Sequence, residues 1–236
     1  MKGKLFLLPT ILAADTQHTT IPSSVTEAIK GIHYFLCENV RTARRYVSSL
    51  KIHDSMESLQ FEVLDKDTRA EALAKLMEPI GGGKNIGVLS ESGCPGVADP
   101  GALAVHFAHE HQIVVVPLVG PSSILLALMA SGLNGQQFAF HGYLPIDSKE
   151  IAAAIKNLER ESKERNQTQI FIETPHRNRS LMGHLIKSLR ADTQLCIAAN
   201  LTSSEEKVLC KTVQRWKAES LALEKVPTVF LFLATS

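Results

Sequence analysis

The stretch Gly87-Val88-Leu89-Ser90-Glu91-Ser92-Gly93-Cys94-Pro95-Gly96-Val97-Ala98-Asp99-Pro100-Gly101 changes character three times within fifteen residues. Few folds accommodate that. Ile86 to Leu89 is apolar and follows Gly81-Gly82-Gly83, the pattern of a central parallel strand covered on both faces. From Ser90 to Asp99 the side chains are small, so the backbone amides are open to a flat or anionic group. Asp99-Pro100 predicts a helix start, with Asp99 as N-cap and Pro100 at the first helical position, where its missing amide hydrogen costs nothing. Strand, small-residue loop and helix in that order describe the carboxyl end of a strand in an open α/β sheet, where such sheets bind ligands.

The same unit recurs. Ile113 to Pro117 is a β-branched run that predicts a second buried strand. It leads into Gly120-Pro121-Ser122-Ser123 and an apolar helix from Ser122 to Met129 that closes at Ser131-Gly132. Upstream, strands are expected at Lys4–Pro9, His33–Cys37 and Leu59–Leu64. Helices are expected from a capping box at Ser24 and Glu27, over Asn39–Leu50 and over Asp67–Met77, and Thr10 to Thr20 reads as a polar loop. Alternation of strand and helix predicts a parallel-sheet N-terminal domain over 1–118. Residues 119–236 read as α+β. Strands are expected at Phe138–Tyr143, Thr168–Ile172, Leu195–Ala199, Lys207–Thr212 and Thr228–Leu233, and helices at Ser148–Arg165, His176–Leu189 and Val213–Ser220. In the first of these helices Lys156, Arg160, Lys163 and Arg165 are interleaved with Glu150, Glu159, Glu161 and Glu164, which reads as a solvated face.

With 44% hydrophobic residues over 236 positions, the chain can bury a sizeable core. Lys plus Arg number 25 against 24 for Asp plus Glu, so any basic surface must be local. Cys37, Cys94, Cys196 and Cys210 lack paired metal-ligand spacing and read as reduced thiols of a cytoplasmic protein; no metal is expected. No apolar run is long enough to span a bilayer, so no membrane partner is expected.

Several segments together carry a resemblance: Ser90 to Pro95 with Ala98 to Gly101, Val116 to Ser123, Ser131-Gly132-Leu133, Gly142-Tyr143-Leu144-Pro145, and Glu173-Thr174-Pro175-His176-Arg177. The chain resembles the tetrapyrrole methylase superfamily, and within it the branch that methylates ribose 2′-hydroxyls of small-subunit ribosomal RNA. Gly93-Cys94-Pro95 is closer to the Gly-Thr-Pro of the ribosomal branch than to the Gly-Asp-Pro of corrin-ring enzymes. Other segments depart from the branch. Thr10 to Asp15 replaces Gly-Asn-Leu-Gly-Asp, Glu38-Asn39-Val40-Arg41 replaces Glu-Asp-Thr-Arg, and Ala198 to Thr202 replaces Ala-Arg-Glu-Leu-Thr. The resemblance implies two α/β domains, the second with a mixed sheet, in a homodimer, with S-adenosylmethionine in the cleft between the domains and no metal.

The cofactor-binding residues implied are Pro9, Ser90, Gly93, Cys94, Val97, Ala98, Gly120, Ser122, Ser123 and Met129, with Glu173, Thr174, Asn200, Leu201 and Thr228 from the second half. A sulfonium is already an activated methyl donor, so the protein has chiefly to align the acceptor and exclude water. Glu38, Glu91 and His176 are candidate proton acceptors, with Asp99 more simply a helix cap. Arg41 and Arg177 are candidate contacts to RNA phosphates. Two further readings stay open at this stage: methylation of a tetrapyrrole or another compact acceptor, and retention of S-adenosylmethionine without turnover.

Overall fold

The computed structural model describes residues 2–219 and 225–235. The chain divides into two compact units, Met1–Ser122 and Ser123–Ser236.

The first unit is built on a five-stranded parallel sheet: β1 (Leu5–Leu8), β2 (Tyr34–Cys37), β3 (Gln60–Val63), β4 (Ile86–Leu89) and β5 (Val115–Pro117), in the order β3-β2-β4-β1-β5. The central place of β4 follows from its composition, since all four of its residues are buried. A Cβ at Gly87 would stand 2.5 Å from Leu8 Cδ1 and 3.1 Å from Phe35 Cδ1, so glycine is what lets the neighbouring side chains close over the strand. The helices are α1 (Gln17–Thr20), α2 (Ser23–Lys30), α3 (Val40–Ser49), α4 (Ala70–Gly81) and α5 (Gly101–Glu110). Two apolar clusters line the two faces of the sheet. Leu8, Phe35 and Leu89 point to one, and Leu36, Ile86 and Val88 to the other. Every strand is therefore apolar on both sides where it is central.

Three local expectations are corrected. The expected strand at Ile113–Pro117 begins only at Val115, and it is a half-exposed edge rather than a buried strand. Helix α2 starts one residue early, after Pro22, with no side-chain cap, so Ser24 and Glu27 form no capping box. Within the expected polar loop, residues 17–20 make one helical turn.

The second unit holds β6 (Phe138–Tyr143), β7 (Thr168–Glu173), β8 (Gln194–Ala199), β9 (Lys207–Thr212) and β10 (Thr228–Leu233), in the order β6-β7-β10-β8-β9. Only β6 and β7 run parallel; β10 lies antiparallel to both its neighbours, and β8 and β9 are antiparallel. Its helices are α6 (Ser123–Ser131), α7 (Ser148–Arg165), α8 (Asn178–Ser188) and α9 (Val213–Ala218). The expected end of α9 at Ser220 lies outside the described residues. Phe171, Phe230, Phe232, Leu195 and Trp216 form one core with the buried stripes of α7 and α8. Trp216 Nε1 donates to Leu195 O at 2.8 Å, satisfying the one polar atom of the largest core side chain. Helix α7 is capped by Asp147, which accepts from the amides of Lys149 and Glu150, and it ends where Asn166 turns left-handed at φ 50°.

Candidate functional site

In the first unit the sequence-predicted residues gather at the carboxyl edge of the sheet. Pro9 and Thr10 follow β1, Glu38 follows β2, Ser90 to Asp99 follow β4, and Gly120 to Ser122 lie just beyond β5. Three of these loops are tied together. Thr10 donates its amide to Gly93 O at 2.9 Å, and the Cys94 thiol donates to Pro121 O at 3.4 Å. Gly120 lies so close to Pro9 that a Cβ there would stand 2.1 Å from Pro9 Cβ. The Pro9 carbonyl is itself fixed by Tyr46, whose hydroxyl donates to it at 2.8 Å.

The β4 loop is bent by its own carboxylate. Asp99 Oδ1 accepts from Gly96 N at 2.6 Å and from Gly101 N at 2.8 Å; contrary to expectation the N-cap is Pro100 and the helix begins at Gly101, whose amide Asp99 reaches from one position before the cap. This clamp holds Gly96 at φ 83° and Ala98 at φ 58°. For an alanine the left-handed region costs about 1–2 kcal/mol. The turn leaves Val97 and Ala98 exposed at the loop tip, while Ser90 and Gly93 are buried.

Three carboxylates lie at this edge, and burial is the first cause of the upward shift of each. Burial pushes the Glu38 carboxyl above its ordinary range, and the charges of Asp99, Glu91 and Asp65 add to the effect. Glu91 is raised by burial, against a hydrogen bond from Thr42 that favours its charged form. Burial also raises Asp99, while the Gly96 and Gly101 amides pull the other way. The Cys94 thiol is raised by burial and by Asp99, which makes it a small packing residue rather than a nucleophile. Two buried oxygens here, Thr10 Oγ1 and Asp99 Oδ2, have no hydrogen-bond partner among the described residues. The edge can therefore take up a cation, which would relieve the repulsion, together with donors for the orphaned oxygens.

In the second unit Glu173, Thr228 and Ala199 stand side by side at the ends of β7, β10 and β8. Glu173 is buried, and its Oε1 accepts from the Thr174 amide at 2.7 Å. Its Oε2 lies 3.1 Å from Arg177 Nη2, an ion pair without the alignment of a hydrogen bond. Arg177 is thus partly spent on Glu173, whereas Arg41, on the first turn of α3, is exposed. Asn200 turns left-handed at φ 51° and donates its amide to Pro227 O at 3.0 Å, with buried Leu201 following it. Thr228 Oγ1 accepts from Asn178 Nδ2 at 3.0 Å. His176 is exposed, Ser123 opens α6, and Met129 on that helix is 77% exposed.

Sequence reasoning passed over Thr10, Thr42, Tyr46 and Asn178, which orient the site through hydrogen bonds. Only Thr10, two residues beyond β1, carried a positional signal.

The model of the family described as Tetrapyrrole (Corrin/Porphyrin) Methylases matches residues 21–215. Among curated proteins, the chain is 30% identical over 212 residues to "Ribosomal RNA small subunit methyltransferase I" of Escherichia coli O157:H7, covering 88% of this chain and 68% of that protein. It is 30% identical to the protein of that name from Mesorhizobium japonicum (80% and 61% covered) and 28% identical to that from Bacillus subtilis (89% and 68%). The chain thus spans about two thirds of the length of these relatives. Among solved structures, two of uroporphyrin-III C-methyltransferase from Thermus thermophilus share the fold. Their TM-scores are 0.57 and 0.61 at 17% and 13% identity, and they cover 99% and 98% of this chain and 93% and 97% of theirs. With most of its length matched, the chain belongs to the tetrapyrrole (corrin/porphyrin) methylase family.

Proposed function

We propose that the protein transfers the methyl group of S-adenosylmethionine to a ribose 2′-hydroxyl of small-subunit ribosomal RNA. The observation that carries the cofactor reading is the joining of the small-residue loops after β4 and β5 on Pro9, with open backbone and, beside them, the oxygens Thr10 Oγ1 and Asp99 Oδ2, unpartnered among the described residues, where nearby carboxylates favour the positive charge that a sulfonium brings. S-adenosylmethionine supplies a methyl group on a positively charged sulfur, open to attack by an oxygen nucleophile.

The residues of this chain do the rest. The β4 loop from Ser90 to Ala98 and the Gly120–Ser122 segment offer backbone amides and carbonyls with little side chain in the way, and Pro9 shapes the floor between them. The likeness to the family also assigns cofactor contacts to Ser123, Met129, Glu173, Thr174, Asn200, Leu201 and Thr228 of the second unit. Glu38 and Glu91, with carboxyls raised toward neutrality, accept the proton that the ribose hydroxyl gives up, with His176 as a further acceptor. Arg41 holds RNA phosphates and Arg177 does so while paired to Glu173. The ribosomal RNA methyltransferases among the relatives support this acceptor over a tetrapyrrole; the likeness to the uroporphyrin enzymes is one of fold. Such an acceptor places the protein in the cytoplasm, and no helix among the described residues is long and apolar enough to cross a membrane.

A homodimer is part of the proposal. Leu181, Leu185 and Leu189 are buried in the core of the second unit. Leu125, Tyr143 and Ile146 remain exposed, and we assign them to a two-fold interface, which light scattering tests by mass.

The deciding experiment incubates small ribosomal subunits from cells lacking this protein with methyl-labelled S-adenosylmethionine and maps the label. A labelled ribose that is unmethylated in those cells is the expected result. If the subunits take up no label and every ribose methylation persists without the protein, the acceptor is wrong. If calorimetry shows no S-adenosylmethionine binding, the whole reading falls.

A further inference from the structure

The charges of α7 are mixed in sequence but sorted in space. At 100° per residue, Lys149, Lys156, Arg160 and Lys163 fall within about 60° of one another, while Glu150, Glu161 and Glu164 occupy a separate sector about 100° away. Helix α7 therefore presents, on the solvated face expected of it, a basic stripe ~21 Å long at 1.5 Å per residue. Glu159, the remaining acid near the stripe, is buried and turned inward, where it accepts from Arg190 N at 2.8 Å and from the Thr193 hydroxyl.

This stripe borders a groove between α7 and α8 with a volume of about 490 Å³. Its cations are Lys156 and Lys187, its hydroxyls those of Ser148, Ser180 and Ser188, with the His184 ring beside them, and no acid lines it. A second hollow beyond Lys156 brings in Arg160, Lys163 and Arg190, is lined also by Glu159 and Glu164, and has Asp192 paired to its Arg190. Among the described residues none of Lys156, Arg160, Lys163 and Lys187 is in an ion pair. Lys156 and Arg160 stand four residues apart, and Arg160 and Lys163 three, spacings at which like charges cost an isolated helix ~0.2–0.5 kcal/mol each. The groove also has a glycine with no packing reason: at Gly183, in the middle of α8, an added Cβ would meet nothing within 4 Å. Small side chains at Gly183 and Ala152 keep the floor low, so a ribbon of phosphates can approach the backbone between the lysines.

We propose that the α7–α8 groove is a second RNA-binding surface, in which Lys156 and Lys187 hold successive phosphates of the RNA backbone and the serine hydroxyls donate to the phosphate oxygens. The proposal rests on the ribosomal RNA reading given above. It adds a contact surface beginning three residues beyond Arg177, on the helix that follows the Glu173–Arg177 segment.

The test is the affinity of the intact protein for small-subunit ribosomal RNA, measured as a function of salt. The double variant Lys156→Ala/Lys187→Ala is compared with Lys30→Ala/Lys75→Ala, which removes two exposed lysines of the first unit. Each lost phosphate contact lowers the salt slope by about 0.7 on single-stranded RNA, or about fivefold in affinity at roughly 0.1 M salt, so the groove variant should bind about 25-fold more weakly with a slope smaller by about 1.4. Its S-adenosylmethionine affinity should be unchanged, and the Lys30/Lys75 variant should bind RNA as the parent does. Equal RNA affinity in parent and groove variant overturns the proposal, as does an equal loss in both variants. A loss seen with intact subunits but not with naked RNA overturns it in favour of a protein partner. If the parent itself binds no ribosomal RNA, the functional reading fails first and the groove proposal falls with it.

Discussion

Replacing Gly120 with alanine tests whether the strand-end loops are held by packing or merely happen to be near one another. The new Cβ would stand 2.1 Å from Pro9 Cβ and 2.4 Å from Pro9 Cγ, against a comfortable separation of about 3.6 Å. Roughly 1.5 Å of separation must therefore be found. Pro9 is a rigid ring, buried, with its carbonyl tied to Tyr46, and the next residue is tied to Gly93, so it cannot swing aside as a long side chain would. Overpacking costs about 1–3 kcal/mol. Loosening the two hydrogen bonds, each worth about 1 kcal/mol, forfeits about half of their joint value and brings the total to about 2–4 kcal/mol. For a unit of this size, one kcal/mol corresponds to about 4 °C, so Tm for the first unit should fall by about 8–16 °C. S-adenosylmethionine binding by calorimetry should weaken by at least about tenfold, since the displaced loops are those proposed to hold it. Gly135→Ala serves as the control, because nothing lies within 4 Å of its added Cβ. A Gly120→Ala protein with the parent's Tm and affinity would refute the argument.

Asp99→Asn keeps the two backbone acceptor contacts but removes a charge from the carboxylate group, so the Glu38 carboxyl should titrate lower than in the parent, though burial still holds it up. Carboxyl NMR titration measures this, and an unmoved Glu38 contradicts it. The sign for stability follows: carboxyls raised in the fold contribute stability below their unfolded pKa that is lost as pH rises through the folded values, so the variant should lose less stability than the parent between acid and neutral pH. Gly183→Ala should stabilise the second unit by about 0.5–1 kcal/mol, read from urea unfolding, because the site is helical and open. Cys196 and Cys210 face each other across β8 and β9, and a hydrogen bond from Cys196 lowers the Cys210 thiol. Cys210, which is exposed, should therefore be alkylated first, and more slowly in Cys196→Ala, as mass spectrometry would show.

Much of the fold is legible wherever a segment's own composition decides its state. β4, β6, β9, β10 and α7 lie where periodicity and flanking residues place them, because each is either apolar throughout or bounded by strong caps and breakers. The departures come from partners that the local sequence does not contain. Ile113 and Val114 look like strand, but β5 pairs only along Leu5 to Leu7 and has no neighbour on its other side. Ser24 and Glu27 have capping-box spacing, yet the chain enters the helix through Pro22 in an extended conformation, one residue sooner. At the candidate site, the two Gly-Pro loops and the carboxylates after β2 and β4 could be read from residue type, but the ties from Thr10 to Gly93 and from Tyr46 to Pro9 join residues distant in sequence. The basic stripe of α7 was hidden for a simpler reason, since charges that alternate along the chain segregate once wound at 3.6 residues per turn.

The position of β10 has a consequence for the order in which the protein can be made. The first unit has all its strands once Pro117 is synthesised, although β1 must wait for β4 and β5 to be made before it has a neighbour. In the second unit β6 with β7, and β8 with β9, are two local pairs joined to each other only through β10, the last strand along the chain. Until Leu233 has left the ribosome, Ile170 to Ile172 and Cys196 to Ala198 have no partner along one edge each, and Phe171 is without Phe230 and Phe232. The second unit thus folds late and all at once, and a premature stop anywhere before Thr228 leaves two half-sheets with apolar edges open to aggregation.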